Sequence, residues 1–343
     1  LRTGWKTDGR EVDGSMPGKL GYGYGSLPRH GVENWSDMFN KRQLLCISKI
    51  FEAIDRLEDD NVKEYLILAM SNALPTNNML TGYDYSYNKI QHLFKSNSFD
   101  PPRESCEGNV WGTEYGRGTF ESIWDMVMRG VEYAAAPTDR YVENDETIET
   151  EEFSQPIGQN TTVNQGDMRL IDAENEYDAV ITDPPYYNNV LYSELSDFFY
   201  VWLKPVLEDE YECFESEHTP RAESIVVNPA SGKGIEEFES ELKQAFSTIN
   251  KALKEDGVVA FTYHHSDSDS WGELLEALCE TGFEVTAAYP IDSDLNKFMD
   301  RETVSFDIVI VARPTDERQP ISWNSLRREY CSYRQTNPST FSR

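Results

Sequence analysis

The sequence predicts an α/β protein: a doubly wound sheet in the second half of the chain, preceded by a mainly helical first half. Three observations carry this. From about residue 160, short apolar runs alternate with longer amphipathic stretches, the rhythm of strands joined by helical crossovers. Earlier, Leu44, Ile47, Phe51 and Ile54 recur at helical spacing, with Leu45 and Ile50 widening the stripe. Between the two, residues 138–156 are acidic and sparse in apolar side chains, which marks a boundary. The expected organisation is 1–150 mainly helical, 151–315 α/β, and 316–343 a C-terminal tail.

Residues 1–34 are rich in Gly, Pro and charge and read as irregular. Ser36 or Asp37 is placed to cap a helix running to about Leu57. A second helix is expected from Val62 to Leu74, ended by Pro75, whose ring and missing N–H stop a helix. Further helical turns are expected at 86–95 and 119–135. The strand candidates are Thr161–Asn164, Tyr177–Thr182, Gly257–Tyr263, Phe283–Tyr289 and Phe306–Ala312. Helices are expected at Ser193–Leu207, Ile235–Leu253 and Ser270–Thr281. Sheets of this kind bind ligands at the carboxyl ends of their strands. Two segments fall at such ends: DPPY after Thr182, and His264-His265 after Tyr263.

With 343 residues the chain has room for about two ordinary domains. Lys plus Arg number 31 against 61 Asp plus Glu, a formal charge of −30. Nucleic-acid binders usually show the opposite sign. Either nucleic acid is not the substrate, or the protein works in molar salt, where an acidic surface maintains solubility. The acidic residues are spread through every segment and Lys is scarce, the pattern of a halophilic archaeon. At such ionic strength the Debye length is about 3 Å, so net charge would repel DNA only weakly, and base contacts and shape would matter more than counterion release. The five cysteines are far apart with no CxxC pair, as expected of a reduced cytoplasmic protein. No apolar run approaches the ~18 residues of a membrane helix, and no signal peptide is seen. The start at Leu1, in polar loop-like sequence, is what an excised piece or truncated product would show.

The most informative segment is TDPPYYNN, Thr182 to Asn189. Asp183 offers carboxylate oxygens that can accept one N–H of an exocyclic amine, and the Pro184 carbonyl can accept the other. Pro184 and Pro185 stiffen the backbone, because proline fixes its own φ and pushes the preceding residue into an extended conformation. Tyr186 adds a flat face on which a base can stack. The competing reading is an ordinary Asp-Pro turn at a strand end.

DPPY resembles the catalytic motif of the AdoMet-dependent amino-methyltransferases that act on adenine N6 or cytosine N4. The Asp form is the more typical of the adenine enzymes. The likeness extends through YYNNVLYSELSDFFYVWLK (Tyr186–Lys204), RAESIVVNP (Arg221–Pro229), ALKEDGVVAFTYHH (Ala252–His265) and FEVTAAYPI (Phe283–Ile291). These segments resemble the large adenine-specific DNA methylases of archaea and bacteria, which often accompany helicase and ATPase genes in anti-phage clusters. Asp37–Phe51 matches more loosely. The resemblance implies a partial Rossmann-like class I methyltransferase sheet, with S-adenosyl-L-methionine as methyl donor and DNA as partner. It implies catalytic roles for Asp183, Pro184, Pro185 and Tyr186, and cofactor contacts from Asp167 and Asp183. It places the base against Tyr186, Tyr187, Asn188, Tyr192 and His264. In RNA amino-methyltransferases, the alternative within enzymes, Gly usually stands in place of Tyr187.

The family's glycine-rich cofactor turn is not found. Gly21, Gly23 and Gly25 mimic it without a preceding apolar strand. The resemblance then makes residues 1–150 an insert with a target-recognition role, and leaves the cofactor lobe to an upstream segment or a partner subunit. A non-catalytic scaffold subunit of a defence complex is the alternative from another class. Gly166-Asp167 reads equally as a turn or helix cap. His264 and His265 lack Cys or carboxylates at ligand spacing, so no metal is expected. Asn228–Gly234 hints at phosphate contact through Lys233, but it lacks the full P-loop spacing and reads better as a mobile lid or a simple linker. Asn77, Asn78 and the tyrosines of GYDYSYNK (Gly82–Lys89), with Arg42, Lys49 and Lys89 nearby, are either nucleic-acid readers or solvated surface.

Overall fold

The computed structural model describes residues 27–95, 99, 101–102, 104–112, 116–144, 146–188, 190–229, 232–264, 268–292 and 306–316. The glycines at 21–25, His265 and the tail from 317 onward lie outside them. Two compact units form: Leu1–Asp167 with Pro185–Phe238, and Met168–Pro184 with Glu239–Arg343.

The first unit is mainly helical. Helix α1 spans Lys41–Asp55 and begins at Asn40, whose side chain accepts from the backbone of Arg42 and Gln43 while Gln43 bonds back to the Asn40 N–H. This reciprocal capping box sets the start of the helix, so Trp35–Met38 form a separate 3-10 turn, and the expected cap at Ser36 or Asp37 is corrected. Helix α2, Asp60–Ala73, is capped by Asp59 and followed by a turn through Pro75. Helix α3, Phe120–Ala135, is capped by Thr119. Helix α4, Tyr192–Leu207, packs Phe198 and Trp202 into the core formed by α1 and α2. Phe39 meets Trp202 edge-on at 4.9 Å, and Phe94 meets both Phe99 and Phe198 the same way. Such pairs each add about 0.5–1.5 kcal/mol beyond area burial.

Two expectations for this unit are overturned. The stretch 86–95 is not helical: β1 (Tyr83–Asp84) and β2 (Lys89–Ile90) pair as an antiparallel hairpin. Asp84 Oδ1 accepts the backbone N–H groups of Ser86 and Tyr87, and Asn88 takes a left-handed φ of 48°. Side-chain bonding of this kind competes with the helix ladder and favours a turn. Thr161–Asn164 is not a strand either; Val163 is 90% exposed and the segment has no regular structure. An extended segment needs a neighbouring strand to satisfy its backbone. Within the acidic stretch, β3 (Arg140–Glu143) and β4 (Glu146–Glu149) form another hairpin.

The second unit is a four-stranded mixed sheet. β5 is Tyr177–Thr182, β6 Leu253–Tyr263, β7 Phe283–Asp292 and β8 Phe306–Pro314. The order is β5-β6-β8-β7, parallel between β5 and β6 and antiparallel elsewhere. Helix α5, Ile235–Ala252, leads into β6, and helix α6, Ser268–Glu280, links β6 to β7. Phe246 of α5 packs on Phe261 of β6 and Phe283 of β7, and buried Tyr263 meets Trp271 of α6 edge-on at 4.8 Å. β7 and β8 pair antiparallel over Phe283–Asp292 and Phe306–Pro314. Among the described residues β5 has one strand neighbour, β6, and its Ile181 is 84% exposed.

Candidate functional site

Because β5 and β6 are parallel, their carboxyl ends reach the same edge of the sheet, and β8 begins there. The register pairs Thr182 with Phe261, which places Asp183 beside Thr262. Thr262 Oγ1 donates to Asp183 Oδ1 at 2.6 Å. A carboxylate accepts up to about four hydrogen bonds, so this one helps to orient an exposed group and leaves acceptor capacity on it. Two residues on, His264 Nδ1 lies 2.6 Å from Asp307 Oδ1 at the start of β8. Pro184 is buried behind Asp183. The second unit thus gathers Asp183, Pro184, Thr262, His264 and Asp307 along one edge. Thr262 and Asp307 carry no sequence signal of their own; the strand pairing alone brings them in.

The boundary between the units runs through the motif, after Pro184. Beyond it, Tyr186 and Tyr187 are half-buried and Asn188 is exposed. Tyr187 has φ 56°, a left-handed backbone that a bulky residue seldom adopts. Two contacts hold it: its carbonyl accepts the Val227 N–H at 3.1 Å, and its ring meets buried Phe238 edge-on at 5.3 Å. Tyr192 stands exposed at the start of α4.

Helix α4 also carries two buried acids. Asp197 accepts from the backbone and hydroxyl of Thr219 and lies 2.7 Å from Arg221 Nε. Glu194 accepts from Asn228 at 2.9 Å. Together they fasten the segment 219–228 onto α4, one end of which holds the Tyr187 carbonyl. Lys233 donates to the Ser224 carbonyl at 2.7 Å and its backbone pairs with that of Asn228, so it closes a turn rather than reaching for phosphate. Asp167 follows an irregular segment, and with the expected strand unformed its placement at a strand end is withdrawn. Asn77 and Asn78 are buried structural residues, which corrects their reading as base contacts. Asn77 Nδ2 donates to the Ala73 and Gly118 carbonyls, and Asn78 Nδ2 to those of Leu74 and Pro75.

Glu239, Glu276 and Glu280 cluster between α5 and α6. Lys243 bridges Glu239 and Glu280, and those bonds raise its pKa while holding the Glu239 carboxyl below the ordinary range. The group is an ion-pair network with a cation already in it.

No family model matches the chain, and no curated protein does. Solved structures do match. One is described as a candidate DNA modification methylase from Thermus thermophilus, with 11% identity over 46% of this chain and 55% of that one at a TM-score of 0.27. The same protein complexed with S-adenosyl-L-methionine matches at 14% identity, over 46% and 57%, with a TM-score of 0.25. A TehB-like SAM-dependent methyltransferase from Corynebacterium glutamicum matches at 17% identity, over 44% and 54%, with a TM-score of 0.21. The chain therefore spans about half the length of these structures. Likenesses this partial transfer no residue's role.

Proposed function

We propose that the chain carries the amino-gripping part of an AdoMet-dependent methyltransferase acting on a nucleobase, with adenine N6 in DNA as the substrate. One observation supports this above the others: a carboxylate followed by two prolines at the carboxyl end of a parallel strand, with a hydrogen bond from Thr262 that helps to orient it. The adenine amino nitrogen is a poor nucleophile because its lone pair is delocalised into the ring. Asp183 accepts one N–H and the Pro184 carbonyl the other, which favours a pyramidal nitrogen with a usable lone pair. Catalysis of this kind is positioning and preorganised electrostatics rather than strong-base chemistry. A paired base hides this edge, so it is flipped out, and Tyr186 supplies a stacking face. AdoMet, when bound, supplies an electrophilic methyl group.

Among the described residues no strand runs through a glycine-rich turn into a helix, so no cradle for AdoMet is seen there. The open edge of β5 supports a further strand there, and its exposed Ile181 a cover over that face of the sheet, both brought by another segment or subunit, with the cofactor turn attached. Exposed apolar edge strands otherwise invite non-specific pairing. The same observation favours a second reading, a non-catalytic recognition subunit.

Transfer of tritiated methyl from AdoMet to adenine-containing DNA, in molar KCl, tests the first reading. Asp183→Ala is expected to lower transfer about 10²–10³-fold with an unchanged circular dichroism spectrum. Equal turnover by the variant would sink the proposed grip. Calorimetry separates the second reading: one-to-one AdoMet binding favours the enzyme, whereas DNA binding without AdoMet binding favours the recognition subunit.

A further inference from the structure

The hairpin β1–β2 presents Tyr83, Tyr85 and Tyr87 on one short turn. Tyr85 and Tyr87 are 77% and 73% exposed. Tyr83 and Tyr85 meet edge-on at 5.1 Å, and Lys89 Nζ sits 4.5 Å over the Tyr87 ring. Single exposed aromatics are ordinary, but adjacent ones held in fixed geometry form a surface with a use.

The turn is rigid at both ends. Asp84 ties its backbone to Ser86 and Tyr87. Behind it, Thr81 Oγ1 donates to the Asn78 and Cys106 carbonyls, and Gln91 N–H bonds the Gly82 carbonyl. Gly118 has φ +72°, and a Cβ there would lie 2.3 Å from Thr76 Oγ1, so the loop entering α3 is pressed against the same frame. Pre-organisation of this kind lowers the ordering cost of binding.

Beside the hairpin lies a cleft of about 550 Å³ lined by Tyr83, Asn88, Lys89, Asn109 and Arg117, within the roughly 300–1,000 Å³ usual for ligand sites. Its carboxylate, Glu107, is bonded twice by Arg42, which holds its pKa below the ordinary range. In a chain of net charge −30 this patch sets Lys89 and Arg117 beside Asp84 and the Arg42–Glu107 pair, and it is aromatic and amide-bearing. Those are the parts that hold unpaired nucleotides: π-faces for bases, cations for phosphates, amides for base edges.

We propose that the β1–β2 hairpin and its cleft bind a stretch of unpaired nucleotides, with bases stacking on Tyr85 and Tyr87 and backbone phosphate meeting Lys89 and Arg117. The site lies wholly within the first unit and does not depend on methyl transfer. Base stacking dominates, so binding persists in molar salt, where counterion release contributes little.

Fluorescence anisotropy of the full chain in molar KCl tests this, using a labelled mixed-sequence single-stranded DNA, the matching RNA and the DNA duplex. The single strands are expected to bind more tightly than the duplex. Tyr85→Ala with Tyr87→Ala should weaken them at least tenfold, while Tyr85→Phe with Tyr87→Phe retains binding. The assay contains no AdoMet, so its outcome is independent of the methyl-transfer reading. A preference for DNA or for RNA supports the site and names its strand. Unchanged affinity in the double alanine variant, tighter binding to duplex, or binding to none of the three overturns it.

Discussion

Thr262 and Asp183 meet through one hydrogen bond, and that contact helps to orient an exposed carboxylate. Thr262→Val keeps the shape and removes the donor. It is expected to lower methyl transfer about tenfold while stability changes by less than about 1 kcal/mol, since the net value of one such bond is small. Thr262→Ser should retain activity; a serine variant as poor as the valine one would show that the methyl group, not the hydroxyl, matters. At Tyr187 two effects oppose each other. The left-handed backbone costs about 1–3 kcal/mol, whereas packing of the ring on Phe238 is worth about 2 kcal/mol or more. Tyr187→Gly relieves the first and loses the second, and glycine adds about 0.5–1 kcal/mol of chain entropy to be lost on folding, so urea unfolding should show a net loss of about 1 kcal/mol. A gain would mean that strain outweighs packing.

At the scale of elements, polar side chains decide several boundaries. Asn40 starts α1, Asp84 makes a hairpin out of an expected helix, and Asn77 joins the end of α2 to the entry of α3. Asn77 is 1% exposed. Asn77→Ala would leave the Thr76 hydroxyl, with one proton, to serve both the Ala73 and Gly118 carbonyls and is expected to cost about 1–3 kcal/mol in urea unfolding. A change below about 0.5 kcal/mol would show that water or a shifted neighbour replaces the amide. The helices at 192–207, 235–252 and 268–280 fall close to where apolar spacing places them, as do the four sheet strands among the described residues; β6 alternates buried and half-buried positions, whereas β5 and β7 are largely exposed. Thr161–Asn164 forms no strand: Val163 is its one apolar residue and is 90% exposed, and among the described residues no strand lies beside it.

At the scale of the whole molecule, the charge of −30 is the dominant fact. Like charges so dense are tolerated when screened within about 3 Å, as in molar salt. Dialysis into dilute buffer is therefore expected to reduce helical circular dichroism and lower Tm. A spectrum that stays the same would remove the high-salt reading. The five cysteines and the absence, among the described residues, of a helix long and apolar enough to cross a membrane add no constraint on partners.

By itself the sequence determined the order of strands and helices in the second half and singled out Asp183, Pro184, Pro185 and Tyr186, because periodicity and proline stiffness are local properties. Tertiary structure decided which residues stand beside them. Thr262 reaches Asp183 because β5 and β6 pair in one parallel register, and Asp307 reaches His264 because β8 runs back against β6. Asp197 and Glu194 carry no local sign of burial, yet they are buried anchors for a segment that follows later in sequence. Asn77 turns inward for the same kind of reason, because the Gly118 carbonyl from far along the chain needs a donor there, whereas Asn78 closes a local turn onto Leu74 and Pro75. Pairing register and burial depend on partners far along the chain, and no local pattern encodes them.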